Sequence, residues 1–330
     1  MRISMIFFNK PLYLPATIIY RNPFIFITFF EDFINWRDSF EKWFLKNPKT
    51  KAYALFKLGF EYESKERVEY ARKNIEMAKL KFPQLETVFL CNSDGELSNF
   101  SSLGAKAVLC NQNCFLDERR YKALDCEKTF DAVYLARITP FKRHYLVEGL
   151  PKILYIGAYT QKEKAFAEDV ISKFSPSSKW VKKVLGIFVY KFMAKAKVGL
   201  ALSEAEGAMY AAGEYGLCGL PVVTTRNLGG RNYSLDPKYT FEVDSDNPVR
   251  EDVRRLIDKA INMNFPPREV RAATIAVFEK YRTAYRDLLD SIFAENGLGG
   301  APDSVKKIFH KMGLRARVAP WRKFFIGMKL

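Results

Sequence analysis

Short runs of almost continuous apolar residues alternate along this chain with longer charged segments. The runs lie at 2–8, 24–30, 87–91, 106–110, 131–136, 153–156, 197–202 and 221–225. Strands buried on both faces have this uninterrupted apolar character, and the segments between them have helical spacing and stop at Gly or Pro. Strands that alternate with helices are typical of βαβ units with parallel strands. The sequence therefore predicts an α/β protein.

The helices are expected in the charged segments. We predict them at 33–45, 65–81, 96–103, 162–173, 180–194, 208–217, 252–263 and 269–294, with one more starting near Lys142. Ser64 precedes the segment 65–81 and is predicted as its N-cap, because a hydroxyl can accept a bond from an unpaired helical N–H group.

A length of 330 residues predicts two domains at roughly 150 residues each. A polar, charged stretch at 111–129 separates two sets of strands and helices, and we place the domain boundary near its end. The N-terminal Rossmann-like domain would comprise residues 1–128 and the C-terminal one residues 129–296. Residues 297–330 begin with a Gly/Pro-rich linker and continue as a basic, aromatic tail.

Charge and cysteine content limit the class of protein. The net charge of +16 concentrates anionic partners near the surface, but nucleotide-sugars, anionic lipids and nucleic acids all qualify. The five cysteines include no C-x-x-C pair, and the chain has only two histidines, so we expect reduced, mostly buried thiols and no metal site. No apolar run reaches the roughly 18 residues of a membrane span, and we expect a cytoplasmic protein without a secretory signal.

The residues 201–231, ALSEAEGAMYAAGEYGLCGLPVVTTRNLGGR, carry the strongest functional signal. A strand is followed by a turn containing Gly207 and then by a helix. The first N–H groups of a helix have no intrahelical partner, and the helix dipole adds positive potential there, so a diphosphate would be attracted. Glu206 in the turn and Glu214 on the helix can accept hydrogen bonds from sugar hydroxyls. Taken alone, this pair of carboxylates would be interpreted as ordinary surface residues.

Two cations follow an upstream strand in YLARITPFKRHYL. Arg137 and Lys142 come at the carboxyl end of the run 131–136, where a parallel sheet binds its ligands. Fixed cations at that edge would neutralise a pyrophosphate. The alternative interpretation is a basic surface loop.

The order of these motifs resembles the retaining glycosyltransferase family 4. The spacing of Glu206 and Glu214, followed by CGLPVV at 218–223, is similar to the family's E-x7-E element. The GGR at 229–231 is similar to that of a bacterial sub-branch. The resemblance implies the GT-B fold, in which two Rossmann-like domains face a cleft, here with a shortened N-terminal domain.

The resemblance also implies catalytic roles. Arg137 and Lys142 match the family's R-x4-K element and would hold the donor diphosphate, while Glu206 would bind hydroxyls of the donor sugar. Stabilising the departing phosphate with fixed cations and amides is an electrostatic strategy that uses no metal.

Further donor-binding residues follow from the same resemblance. The backbone amides of Gly207, Ala208 and Met209 would support the phosphate or the sugar. Glu214 would bind the ribose, and Arg231 would contact donor or acceptor.

The expected reaction is hexosyl transfer from a nucleotide-sugar, used as co-substrate without other cofactors, to a glycan or lipid-linked acceptor. The N-terminal half departs from the family pattern. NKPLYLPA replaces a glycine-rich loop after the first strand, and no histidine precedes His144, so the family's acceptor-side histidine is missing.

Other interpretations of the sequence stay open. The protein could be an inactive relative that binds only the donor, or a polyanion-binding protein, although we expect no nucleic acid partner. Asp244-Ser245-Asp246 matches the D-x-D metal motif of the other glycosyltransferase fold, but we interpret it as a loop before a helix. The tail could contact an anionic membrane surface, since Trp and Phe alternate there with Lys and Arg.

Overall fold

The computed structural model describes residues 14–47 and 51–306 and contains two sheets. The first sheet has the order β1 (Thr17–Arg21), β2 (Phe24–Phe29), β3 (Ala52–Lys57), β4 (Leu85–Cys91) and β5 (Lys106–Leu109). β1 pairs antiparallel with β2, and all the other pairs are parallel.

The second sheet has six parallel strands in the order β11-β10-β9-β6-β7-β8. They are β6 (Phe130–Leu135), β7 (Ile153–Ile156), β8 (Lys179–Val181), β9 (Ala196–Ala201), β10 (Val222–Thr225) and β11 (Thr240–Val243). The chain runs outward from β6 to β8 and then returns to place β9 on the other side of β6. The strand order therefore reverses between β6 and β9, and such a reversal opens a ligand crevice at the carboxyl ends of the strands.

Helices connect and cover the strands. They are α1 (Phe30–Asn35), α2 (Arg37–Lys46), α3 (Lys65–Lys81), α4 (Asp94–Ser102), α5 (Lys164–Ser172), α6 (Val189–Met193), α7 (Tyr210–Leu217), α8 (Arg250–Asn262), α9 (Pro267–Glu295) and α10 (Asp303–Lys306). The predicted α/β arrangement is confirmed. Ser64 precedes α3 as predicted, but its hydroxyl donates to Glu61 instead of capping the helix.

The long helix α9 joins the two halves of the molecule. It contacts β5 of the first sheet and α7 of the second unit. Its Arg282 is fully buried and donates to the carbonyls of Cys114 and Leu116, at 2.9 and 3.0 Å, and to the carboxylate of Glu118 at 2.8 Å. One apolar core runs from the first sheet through α9 to the second, so the two sheets are firmly packed together.

Two helix predictions are wrong. The predicted helix 180–194 begins as strand β8, because these residues pair with the exposed edge of β7, and only α6 remains helical. The helix expected near Lys142 is instead two 3₁₀ turns, interrupted by Arg143 in a left-handed conformation with φ of 51°. The predicted helix 33–45 is split at Trp36 into α1 and α2.

Other predictions fall at element boundaries or outside the described residues. Strands β1 and β3 were not predicted, and the predicted strand 2–8 lies outside the described residues, as does most of the tail, 307–330. The proposed division at residue 128 falls between the two sheets and stays a prediction. None of the helices in the described ranges is long and apolar enough to cross a membrane.

Candidate active site

The predicted site residues lie where the second sheet reverses its strand order. β6 and β9 are neighbours, with Val133 opposite Gly199, so the loops that follow them leave the sheet side by side. The loop after β6 carries Arg137 and Lys142, and the loop after β9 carries Glu206. The topology therefore brings together residues that are more than sixty positions apart in sequence.

Lys142 and Glu206 form an ion pair between these two loops. Both side chains are mostly buried, with 12% and 17% of their surface exposed, and Lys142 Nζ contacts Glu206 Oε1 directly. Burial of Lys142, followed by the positive charges of Arg231 and Arg137, lowers its pKa to about 7. The adjacent carboxylate of Glu206 acts in the opposite direction, because it stabilises the charged ammonium.

Arg137 lies at the outer side of the same loop. Its side chain is 59% exposed, and its guanidinium is 3.9 Å from the carboxylate of Glu163. Because an exposed ion pair at this distance is weak, Arg137 is free to reach an anion bound beside Lys142.

Two further arginines lie beneath the site. Arg231 has no exposed surface; it donates to the carbonyls of Ser203, at 2.6 Å, and Thr225. Arg143 is also buried and donates to the carbonyl of Leu202 at 2.9 Å. These guanidinium groups thus hold the carboxyl ends of β9 and β10, and a direct ligand contact by Arg231 stays a prediction.

The buried cations outnumber their counter-charges. Within the described residues, Glu206 is the only carboxylate that forms an ion pair with any of Lys142, Arg143 and Arg231. Burial, together with the charge of Arg143, lowers the pKa of Arg231 to about 9. Buried charges without partners are costly, so this site would be stabilised by an anion.

Three backbone amides beside Glu206 have no protein acceptor. In the described part of the chain, the N–H groups of Gly207, Ala208 and Met209 donate no hydrogen bond, and Met209 has no side-chain cap. All three residues are buried. Buried N–H groups are almost always bonded to protein, water or a ligand, so these three amides are available to an acceptor from outside the protein. The helix α7 begins at Tyr210, two residues later than predicted, because Met209 has a left-handed φ of 44°.

Glu214 lies one turn into α7. It is half-buried, and it accepts a hydrogen bond of 2.8 Å from the hydroxyl of Tyr121. Tyr121 comes from the stretch that joins the two sheets, so Glu214 is held between them. Its predicted contact with a ribose stays a prediction.

The loops of the site touch the first sheet's loops through glycines. A Cβ atom added to Gly207 would lie 3.1 Å from the carbonyl oxygen of Phe60, and one added to Gly230 would lie 2.2 Å from the Cβ of Asn92. Only glycine fits at Gly230, because the opposing atoms belong to backbone and to a short side chain. The two halves of the molecule therefore meet at the candidate site.

The facing loops of the first sheet carry buried carboxylates. Glu96 is fully buried and accepts hydrogen bonds from the N–H groups of Tyr62, at 3.2 Å, and Asn92, at 2.7 Å. Burial raises its pKa to about 8. Glu61 accepts from the N–H groups of Glu63 and Ser64, directly before α3. Anion-binding groups therefore concentrate on the second sheet's side.

Two other candidates are engaged elsewhere. Asp244 and Asp246 both form ion pairs with Arg226, the latter at 2.8 Å. His144 is buried against Tyr134, and burial with the charge of Lys142 lowers its pKa to about 4. No cluster of three or more potential metal ligands occurs among residues 14–47 and 51–306. Of the cysteines, only Cys126 is exposed, and none forms a disulfide bond.

Sequence reasoning missed two groups of residues that shape the site. Arg143 was not singled out beside Arg137 and Lys142. Asn111, Gln112 and Asn113 were assigned to a boundary stretch, although three amide side chains directly after a predicted strand could have indicated a buried polar junction.

The fold was compared with known proteins. No protein-family model matches the sequence, and no curated protein matches it. Solved structures do match. HepE from Anabaena, in complex with UDP and glucose, has a TM-score of 0.58 at 14% identity, covering 78% of this chain and 82% of that one. The chain has the GT-B fold.

Other GT-B glycosyltransferases agree with this assignment. Sucrose-phosphate synthase from Thermosynechococcus elongatus matches with a TM-score of 0.52 at 12% identity, covering 81% of this chain and 79% of that one. TarM from S. aureus, in complex with fondaparinux, α-GlcNAc-glycerol and UDP, has a TM-score of 0.52 at 17% identity. It covers 75% of this chain and 53% of that one. These identities establish the fold, and the predicted GT-B architecture is confirmed.

Proposed function

We propose that this protein is a glycosyltransferase that moves a sugar from a nucleoside-diphosphate sugar to a glycan or lipid-linked acceptor. One observation carries the proposal: three unbonded amides, at Gly207, Ala208 and Met209, lie beside Glu206 and its partner Lys142, where buried cations exceed carboxylates. A diphosphate supplies both the acceptor oxygens and the negative charge that this arrangement lacks. The GT-B neighbours solved with UDP agree with it.

Donor binding would exchange one ion pair for another. Lys142 now contacts Glu206. When a diphosphate occupies the amides, Lys142 would turn to the phosphate oxygens, and exposed Arg137 would join it. Glu206 would then be free to accept hydrogen bonds from hydroxyl groups of the donor sugar.

The chemistry follows from where charge develops. The bond between the sugar C1 and the phosphate oxygen breaks, an acceptor hydroxyl oxygen bonds to C1, and the hydroxyl proton leaves to the departing phosphate or to solvent. Negative charge grows on the leaving oxygen, and cations and amides fixed in a buried site stabilise it strongly. Lys142, Arg137 and the amides of 207–209 would supply that stabilisation.

The finer assignments come from the family resemblance. Glu214 would bind the ribose and Arg231 would contact donor or acceptor, which is what the resemblance to the retaining family 4 sub-branch implies. We propose retention of the anomeric configuration, hexosyl transfer, and no requirement for a metal or other cofactor. A cytoplasmic location, with contact to an anionic membrane through the tail, would suit a lipid-linked acceptor.

A panel of nucleotide-sugars tests the proposal. A ligand that binds only the folded protein raises its melting temperature. We expect at least one of the UDP-, GDP-, ADP- or dTDP-sugars to do so, and donor hydrolysis or transfer to be lost in Glu206→Gln. If none of them stabilises the protein while single- or double-stranded nucleic acid does, the polyanion-binding alternative replaces this proposal.

A further inference from the structure

We propose that Asn113 is a positioning residue, which orients the peptide group between Ala208 and Met209 so that its N–H faces the donor phosphate. The proposal rests on the proposed function and adds to it a residue from the segment that links the two sheets. It assigns a part in donor binding to a residue outside the loops that carry the proposed phosphate-binding groups.

Asn113 belongs to a buried polar turn directly after β5. Asn111, Gln112 and Asn113 have at most 1% of their surface exposed. Buried amide side chains must be hydrogen-bonded, and these bond mainly to the backbone of other segments. Asn111 fixes the turn, because its Oδ1 accepts from the N–H of Asn113 at 3.1 Å.

The donors of this turn reach the loop after β9 and the loop after β10. Asn113 Nδ2 donates to the carbonyl of Ala208. Asn111 Nδ2 donates to the carbonyl of Gly230 at 2.7 Å. Asn113 Oδ1 has no hydrogen-bond partner, so the amide nitrogen alone makes the connection to the site.

The planarity of the peptide bond turns this contact into an orientation. The C=O and N–H of a trans peptide point in opposite directions. When Asn113 holds the carbonyl of Ala208, the N–H of Met209 must point away from Asn113. That N–H and those of Gly207 and Ala208 donate to no acceptor in the described residues.

The conformation of Met209 shows that this orientation is enforced. Its φ of 44° lies in the left-handed region, which a non-glycine residue rarely adopts unless its surroundings determine it. Rotation of the Ala208–Met209 peptide would let φ become negative, and the bond from Asn113 opposes that rotation. Strain held by a buried hydrogen bond beside unbonded amides is expected of a preorganised anion site.

An isosteric variant tests this role. Asn113→Asp replaces the NH₂ donor with a carboxylate oxygen, which cannot donate to the Ala208 carbonyl. A carboxyl group in its protonated form regains a donor, and burial favours that form. The ligand is the nucleoside diphosphate of whichever nucleotide-sugar raises the melting temperature. We expect the affinity of Asn113→Asp for it to fall about tenfold to 100-fold at pH 8. At pH 5.5 the affinity should return towards that of the wild type.

Two variants separate this positioning role from general stability. Asn113→Ala has no donor at any pH, so its loss of affinity relative to wild type should be similar at both pH values. Asn99→Asp is the matched control, because Asn99 Nδ2 also donates to a carbonyl, that of Tyr62 at 2.9 Å, away from the donor loops. It should leave affinity unchanged at both pH values. Binding is measured by calorimetry on the full chain, well below each variant's melting temperature.

The outcomes are distinct. If the wild type binds the nucleoside diphosphate and both Asn113 variants bind it equally well, the inference about Asn113 is wrong while the proposed function stands. The same follows if Asn113→Asp loses affinity and low pH does not restore it. Failure of the wild type to bind any nucleoside diphosphate in the panel removes the proposed function and this role with it.

Discussion

Lys142 and Glu206 form an ion pair across the point where the second sheet reverses its strand order. One belongs to the loop after β6 and the other to the loop after β9. Within the described residues, no other carboxylate pairs with the cations beneath this site. The pair therefore links the group proposed to hold phosphate with the group proposed to hold the sugar.

Neutralising Glu206 should separate these two roles. In Glu206→Gln, the site loses the negative charge beside Lys142, so its net potential becomes more favourable to a phosphate even though the pKa of Lys142 falls further. We expect affinity for the free nucleoside diphosphate to stay the same or rise up to about tenfold, because charge-assisted contacts are worth about 1.5–3 kcal/mol. Sugar transfer should fall by at least about 100-fold. Calorimetry and a transfer assay measure the two effects.

Glu204→Gln is the control for that experiment. Glu204 is exposed and lies two residues before Glu206 in the same loop. Both affinity and transfer should match the wild type. A Glu206→Gln protein that binds the diphosphate much more weakly would show that the carboxylate supports phosphate binding.

Affinity for the nucleoside diphosphate should depend on pH through Lys142. Its pKa is lowered to about 7, and a bound diphosphate would raise it, so binding takes up a proton above pH 7. Affinity should fall by up to about tenfold per pH unit from pH 7 to 9. Lys142→Arg keeps its charge throughout and should show a much flatter profile; a profile as steep as the wild type's would assign the dependence to another group.

Arg282 should be essential for the stability of the link between the two sheets. Its buried guanidinium holds the carbonyls of Cys114 and Leu116 and the carboxylate of Glu118. Arg282→Met removes the buried donor to both carbonyls and to Glu118, and we expect the free energy of unfolding to drop by about 3–5 kcal/mol. Arg286→Met, on the same helix but 34% exposed, should cost less than about 1 kcal/mol. Urea denaturation would compare them, and equal losses would contradict this account.

Gly230 should tolerate no side chain. A Cβ added there would lie 2.2 Å from the Cβ of Asn92 and 2.4 Å from its carbonyl oxygen. Gly230→Ala must push the two loops apart, at a cost of about 1–3 kcal/mol in unfolding free energy, and should weaken donor binding. Gly186→Ala faces open space and should be neutral in the same thermal and binding measurements.

The parallel sheets and the position of the site were predictable because their determinants are local. Apolar runs mark β6 and β9, and a strand end followed by cations or by a glycine turn indicates a ligand edge. Strand β8 was not predictable in this way, because Lys179–Val181 becomes a strand only by pairing with the open edge of β7. Tertiary pairing overrode the helical pattern of that segment.

The contributions of buried arginines and of Asn113 were also hidden in the sequence. Arg231 in a GGR loop suggests a ligand contact, yet its guanidinium bonds to backbone carbonyls of Ser203 and Thr225. Asn113 and Ala208 are 95 positions apart, and their contact depends on how α9 packs the two sheets together. Long-range hydrogen bonds of this kind follow from the assembled fold and not from local patterns.

The affinity of Lys142→Ala for a nucleoside diphosphate is the decisive measurement for the proposed phosphate site. Calorimetry with the nucleoside diphosphate of the stabilising nucleotide-sugar should show that Lys142→Ala loses about tenfold to 100-fold in affinity relative to the wild type. The control Lys179→Ala, at the exposed start of β8, should bind like the wild type. Equal affinity in wild type and Lys142→Ala would contradict the account, because the phosphate would then be held elsewhere.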